Sequence, residues 1–186
     1  MSLRVGVDLG ATKIQTLLVA DDNSIVDRAV AHRAGIGWFG KNANILVPGA
    51  GSFFVLGSVV TTAELATSSI VEDGCGACRR CLDGCPTQAI IEPGVVDARR
   101  CLAWLLQKPG VFDRRFRAAL GDRMYGCDDC QLVCPWNKFA QRSALPDFDE
   151  RHGLGAAQLV HLMQWDEATF LRMTEGSAIR RIGHVR

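Results

Sequence analysis

An α+β fold in three parts is predicted by three features of this sequence. Apolar runs at residues 3–9, 14–19 and 52–61 are rich in Val, Leu and Ile and have the length of strands. Two cysteine-rich pieces with short, regular spacing lie between Cys75 and Cys134. Beyond them, Leu159, Leu162, Met163, Phe170 and Leu171 supply the apolar faces of two short helices over 155–164 and 166–174. The expected layout is a partial sheet domain, a ferredoxin-like module and a C-terminal helical tail. Residues 1–19 form an atypical N-terminal strand segment, 20–70 the sheet-bearing part, 71–142 the cysteine module and 143–186 the tail.

The composition is that of an ordinary soluble protein. The chain has 186 residues, 48% of them hydrophobic and 22% charged, enough for one domain and part of a second. A formal charge of +1 argues neither for nor against a polyanionic partner. No apolar run is long enough for a transmembrane helix, so no membrane partner is expected. No basic segment, apolar core and small-residue cleavage site open the chain, and the expected location is cytoplasmic.

In chain order, Ser24-x-x-Asp27 resembles a capping box with Asp in place of Glu. It would open a helix whose face carries Val26, Ala29, Val30 and Arg33 and which ends at Gly35. The stretch Gly35-Ile-Gly-Trp-Phe-Gly-Lys-Asn42 places three glycines around two aromatics. It reads either as a helix–strand turn with two core aromatics or as a backbone that approaches a ligand closely. Residues 52–61 read as a buried strand. Between the cysteine pieces, Asp97 is placed to cap a helix holding Cys101, Leu102, Leu105 and Leu106. Phe112, Phe116 and Leu120 repeat at i, i+4 and i+8 on a second helix that stops at Gly121. Pro146, Asp147, Asp149 and Glu150 form a polar connector, and a last helix begins at Ser177.

The cysteines carry the chemistry. The first piece is Cys75-x2-Cys78-x2-Cys81-x3-Cys85-Pro86, the second Cys127-x2-Cys130-x3-Cys134-Pro135, with Cys101 between them. A disulfide framework and tetrahedral zinc are the competing readings. The cytosolic setting disfavours the first, and four cysteines crowded ahead of Cys-Pro disfavour the second. The spacing matches bacterial iron–sulfur ligation, in which the cysteine before proline ligates the other cluster. That crossover predicts two [4Fe–4S] clusters. One takes Cys75, Cys78, Cys81 and Cys134. The other takes Cys85, Cys127 and Cys130, and Cys101 fills its remaining position. The insertion that carries Cys101 upstream argues against a small free-standing ferredoxin.

From about residue 20 onward the chain resembles the epoxyqueuosine reductase family. The matching residues are Arg33–Asn42, Gly51–Gly57, Cys75–Pro86, Asp97–Cys101, Tyr125–Asn137 and Gly176–Arg181. The resemblance implies a cobalamin beside one cluster, so that residues 20–70 become a partial cobalamin-binding domain. It further implies an external electron donor and removal of an epoxide oxygen from a modified base in a tRNA anticodon. An aspartate ahead of the first helix would donate a proton; Asp21 matches best and Asp22 is its neighbour. Arg33, Gly37, Trp38, Lys41 and Asn42 become cobalamin contacts on the same ground. Candidate tRNA contacts are Arg99, Arg100, Arg114, Arg115, Arg117, Arg123, Arg180 and Arg181, which also read as solvated helix faces. Tyr125 and Trp136 either stack on a base or shield a cluster.

Two departures from the family stand out. The family's N-terminal portion and its C-terminal helical repeats are expected to be missing. Val5–Ile14 instead resembles the first phosphate loop of sugar kinases in the actin-like ATPase superfamily, which uses Asp8, Gly10 and Thr12. No companion motif accompanies it, so residues 1–19 read as a foreign start. The alternative function is an electron-transfer module without cobalamin or catalysis.

Overall fold

The computed structural model describes residues 26–58 and 64–184. The expected strands at 3–9 and 14–19, the phosphate-loop segment, Ser24, Asp21 and Asp22 lie outside those residues.

Helix α1 (Asp27–Arg33) has Asp27 in its first turn and His32 and Arg33 in its last, the placement that the helix dipole favours. It ends at Gly35, whose φ of 69° suits a residue without a Cβ. The stripe expected on this helix is not its buried face. Val26 and Val30 are exposed, and Ala31 is the residue that packs inward. The helix rests on the following hairpin: His32 Nδ1 lies 3.1 Å from the Gly37 carbonyl oxygen, and its ring meets Phe39.

That hairpin pairs β1 (Trp38–Phe39) with β2 (Ile45–Leu46) antiparallel, Trp38 opposite Leu46 and Phe39 opposite Ile45. Trp38, Ile45 and Leu46 are core residues. The glycine–aromatic stretch is therefore a helix–strand turn. Gly37 is required because a Cβ there would run into the Leu46 carbonyl. Of the two aromatics only Trp38 is core; Phe39 stays exposed.

The buried strand expected at 52–61 is absent over 52–58, its described part. Phe53 and Phe54 are exposed and Val55 is 78% exposed. A strand needs a neighbour for its backbone groups. Here the chain makes one bridge, Val47 with Gly51, and the Ser52 amide then donates to Asn137 Oδ1 instead of to a ladder.

The cysteine module holds α2 (Arg80–Asp83) and a second antiparallel hairpin, β3 (Ile90–Glu92) with β4 (Val95–Val96). This hairpin was not expected, though Pro93-Gly94 is a turn signal. Gly94 has φ 79°, and its amide donates 2.9 Å to the Lys41 carbonyl, tying the two hairpins together. Helix α3 (Leu102–Leu105) starts after Cys101, not at Asp97. The Asp97 carboxylate is spent on the amide and guanidinium of Arg99, closing a turn of its own. The second inserted helix is split as well. A 3₁₀ turn (Arg114–Phe116), capped by Asp113, runs into α4 (Arg117–Leu120), with Phe112 ahead of both. It stops at Gly121, as expected, with φ 62°.

Helix α5 (Asp129–Leu132) and a 3₁₀ segment (Pro135–Phe139) complete the module. The tail contains α6 (Leu159–Leu162), α7 (Glu167–Met173) and a 3₁₀ segment (Ala178–Ile182) that begins after Ser177, whose hydroxyl accepts from the Ile179 amide. The architecture is α+β with small sheets. No described helix is long and apolar enough to cross a membrane.

Candidate metal centre

All eight cysteines are free thiols and half-buried. The fold sorts them into two sets. Cys75, Cys78, Cys81 and Cys134 line one small enclosed cavity with Lys41, Asn42, Leu46, Pro135 and Trp136. Within it, Cys81 feels the charges of Cys134 and Cys75, and Cys134 those of Cys75 and Cys78. The other set forms around Cys130, which feels Cys85, Cys127 and Cys101 ahead of Cys81. The cysteine before each proline thus faces the set of the other piece. This is the crossover grouping expected from the spacing.

Chain geometry explains the sorting. Each piece makes a loop and then one short helix, α2 or α5, and these two helices pack against each other. Cys81 lies within α2 and Cys130 within α5, and each Cys-Pro residue follows its helix, Cys85 after α2 and Cys134 after α5. Cys101 joins as the residue from which α3 starts.

The thiols' acidity shows what the cages require. Burial pushes Cys81, Cys127 and Cys134 up. Burial, then the neighbouring Cys85, Cys127 and Cys101, pushes Cys130 to about 12. Four thiolates cannot share such a space unless a positively charged core balances them. Cys85 goes the other way. Burial would raise it, but the Ala89 amide, the Thr87 amide and hydroxyl, and the Ile90 amide hold it below the usual thiol range. The Ala89 amide donates to Cys85 Sγ at 3.2 Å. Such N–H···S bonds are a recognised means of tuning cluster potentials. The donor set, the enclosure and the charge demand all fit a pair of thiolate-bound clusters. Among the described residues, no group of three or more His, Cys, Asp or Glu converges on a single metal ion.

The first hairpin clamps both cysteine pieces. Lys41 Nζ donates to the carbonyls of Gly76 at 2.6 Å and Cys78 at 2.9 Å. Asn42, 5% exposed, donates to the Cys130 carbonyl. Ser52, Gln131 and Asn137 form a closed network: Asn137 Oδ1 accepts from the Ser52 amide at 2.6 Å, and its Nδ2 donates to the Gln131 carbonyl at 2.7 Å. Trp136 donates to the Gly74 carbonyl and sets its edge against Trp38, centroids 4.8 Å apart. It also lines the first cage, a position that suits shielding more than base stacking.

The residues assigned to cobalamin by resemblance are placed as follows. Lys41 and Asn42 are engaged by the cysteine loops, and Gly37 is backed by Leu46. Trp38 is core, but its Nε1–H is buried without an acceptor among the described residues. Arg33 is exposed at the end of α1. The described residues therefore do not enclose a corrinoid by themselves. Of the candidate tRNA contacts, Arg99, Arg115 and Arg123 pair with Asp97, Asp113 and Asp129. Arg100 donates to the Thr87 carbonyl. Arg114, Arg117 and Arg180 are exposed. The Ser52–Gln131–Asn137 network was not anticipated, since nothing in residue spacing marks contacts across so much chain.

Comparisons with known proteins agree with this geometry. Residues 74–137 match the family model described as a 4Fe-4S double cluster binding domain. An epoxyqueuosine reductase of Alicycliphilus denitrificans is 52% identical over 167 residues, which are 89% of this chain and 46% of that protein. The structure of a Bacillus subtilis epoxyqueuosine reductase, its catalytic aspartate loop swung out of the active site, superposes with a TM-score of 0.86 at 34% identity over 92% of this chain and 46% of that one. A further epoxyqueuosine reductase, crystallised with an epoxyqueuosine-modified tRNA stem loop, gives 0.85 at 36% identity over 91% of this chain and 45% of that one. The chain spans a little under half the length of these relatives. Over that matched portion, it is similar to the epoxyqueuosine reductases.

Proposed function

We propose that this chain is the iron–sulfur portion of a tRNA epoxyqueuosine reductase. The observation that carries the reading is the sorting of eight thiols into two crossed cages inside a chain related to that family over most of its length. Two [4Fe–4S] clusters would be held, by Cys75, Cys78, Cys81 and Cys134 and by Cys85, Cys101, Cys127 and Cys130. Each supplies one-electron transfer.

Reduction of an epoxide to an alkene consumes two electrons and two protons and releases water. The cages would therefore pass electrons singly, twice per turnover, from an external donor. Cobalamin is the second cofactor in this reading. The chain's exposed edge at Arg33, Ile36 and Phe39 is the part left to meet it. Asp21 is the proton donor, since a positioned carboxyl group can protonate an oxygen as it leaves. The Bacillus subtilis relative, whose catalytic loop carries an aspartate, supports that role. The tRNA anticodon region is the substrate, the exposed arginines Arg114, Arg117 and Arg180 its phosphate contacts, and the cytoplasm the location.

A second reading is favoured by one observation. Lys41 and Asn42 are already committed to the cysteine loops. An electron-transfer module without cobalamin would use them in that way alone.

Elemental analysis separates the two. After anaerobic reconstitution, incubation with excess cobalamin and gel filtration, the reductase reading expects about eight irons and one cobalt per chain. It also expects turnover of epoxide-containing tRNA that Asp21→Ala abolishes. About eight irons without cobalt support the module. Zinc in place of iron overturns both.

A further inference from the structure

Cations stand beside both cages, and beside the second the Arg100 guanidinium, next to Cys101, donates to the neutral Thr87 carbonyl. Beside the second, Arg123 is neutralised by Asp129, which it grips through two hydrogen bonds of 2.7 and 3.0 Å. Beside the first, Lys41 lines the same cavity as Cys75, Cys78, Cys81 and Cys134. The Lys41 ammonium is held by two neutral carbonyls, those of Gly76 and Cys78. Among the described residues no carboxylate is within salt-bridge reach of it. Its backbone is fixed as well, because its carbonyl accepts the Gly94 amide at the tip of the second hairpin. The result is a pre-positioned positive charge at the first cage, held by carbonyls and not by a carboxylate.

We propose that Lys41 is a positioning residue that raises the reduction potential of the cluster in the Cys75 cage. The proposal rests on the cluster-binding part of the function above and on neither cobalamin nor tRNA. A loaded [4Fe–4S]²⁺ cage with four thiolates carries about −2, and one added electron makes it about −3. A nearby fixed cation favours the more negative form, the more so in a partly buried site of low effective dielectric. The paired Arg123 has no such net effect. Lys41 also holds the Cys75–Cys81 loop in shape, through the carbonyl of Gly76, whose φ is 48°.

The test is an EPR-monitored redox titration of the reconstituted chain, its signals assigned with Cys134→Ser and Cys127→Ser. Lys41→Met is expected to lower the reduced-to-oxidised ratio of the Cys75-cage cluster about tenfold at fixed potential, equivalent to 59 mV for one electron. The other cluster should stay within about twofold of its starting ratio, and Lys41→Arg, which keeps the charge, should restore the first. Loss of iron from the first cage in Lys41→Met, rescued by Lys41→Arg, would equally support a charged clamp. An unchanged first cluster, an equal shift of both, or iron loss in both variants overturns the proposal. A wild-type chain with iron but no cobalt leaves the test fully valid, whereas a chain that binds no iron overturns this proposal together with the function on which it rests.

Discussion

The cysteine module and the C-terminal tail are held together in opposite ways. In the module the decisive hydrogen bonds join residues far apart in sequence. Lys41 reaches Gly76 across 35 positions, Trp136 reaches Gly74 across 62, Ser52 reaches Asn137 across 85 and Asn42 reaches Cys130 across 88. In the tail they are mostly local: Asp166 caps Thr169 three residues on, the Thr174 hydroxyl bonds the Phe170 carbonyl four residues back, and Ser177 caps Ile179 two residues on. A longer tail bond brings His184 to the Trp165 carbonyl across 19. Local bonds form with little loop closure, whereas long-range ones oblige the chain to close large loops first. Helices as short as α2, α3 and α5, or α6 and α7 in the tail, are not stable alone, and the module must in addition close its large loops. The module therefore depends on something that gathers its segments, and two thiolate-bound clusters would do so. In such proteins cofactor binding is coupled to folding.

The sharpest way to break the contrast is to remove metal. Chelation of iron, or Cys130→Ser, is expected to abolish the ordered tertiary signal of the module while most tail helicity survives. Near-UV and far-UV circular dichroism, with iron counted per chain, would check this. Equal loss in both regions would show that the tail is no independent unit.

A smaller effect is expected from Asn137→Ala. It removes one member of the buried network and leaves the Ser52 amide and Gln131 without their partner. The expected cost is about 1–3 kcal/mol, the range for an unsatisfied buried polar group. It should appear as a lower denaturant midpoint for cluster bleaching, with tail helicity unchanged.

Asp166→Ala should have the smallest effect and the reverse pattern, reducing the helicity of α7 while iron content holds. The hydroxyl and amide of Thr169 hold the Asp166 carboxyl below its usual range of about 3.8. Its contribution is thus complete above that value and is lost as pH falls through the lower folded-state value. An acid titration of helicity should show a loss in the wild type that the variant lacks. Identical acid profiles would remove Asp166 as the cap.

Part of the tail was readable because its determinants are local, but of the apolar faces expected there Phe170 is buried while Leu159, Met163 and Leu171 are exposed. Ser177 opens the last segment and, in the module, Gly121 ends α4 for the same reason, each acting through residues within a turn of itself. The cysteine grouping was readable for a related reason, since thiol spacing within each loop dictates which side chains can share one cubane. The misreadings arose where tertiary partners decide. Val26 and Val30 have the right helical spacing, yet Ala31 faces the hairpin. Residues 52–58 have the composition of a strand but no strand beside them among the described residues. Asp97 has the chemistry of a cap, and Arg99 takes it instead.

Cysteine identity and spacing alone pointed to thiolate-bound clusters, because ligation depends on donor type and on the reach of a few adjacent residues. How each cation beside the cages is compensated was decided only by tertiary structure. Lys41 and Arg123 are both cations near cysteines, and nothing in residue order distinguishes them. Folding places Asp129 against Arg123 and two bare carbonyls against Lys41. Electrostatic effect follows distance and compensation in space, and neither is written in the order of residues along the chain.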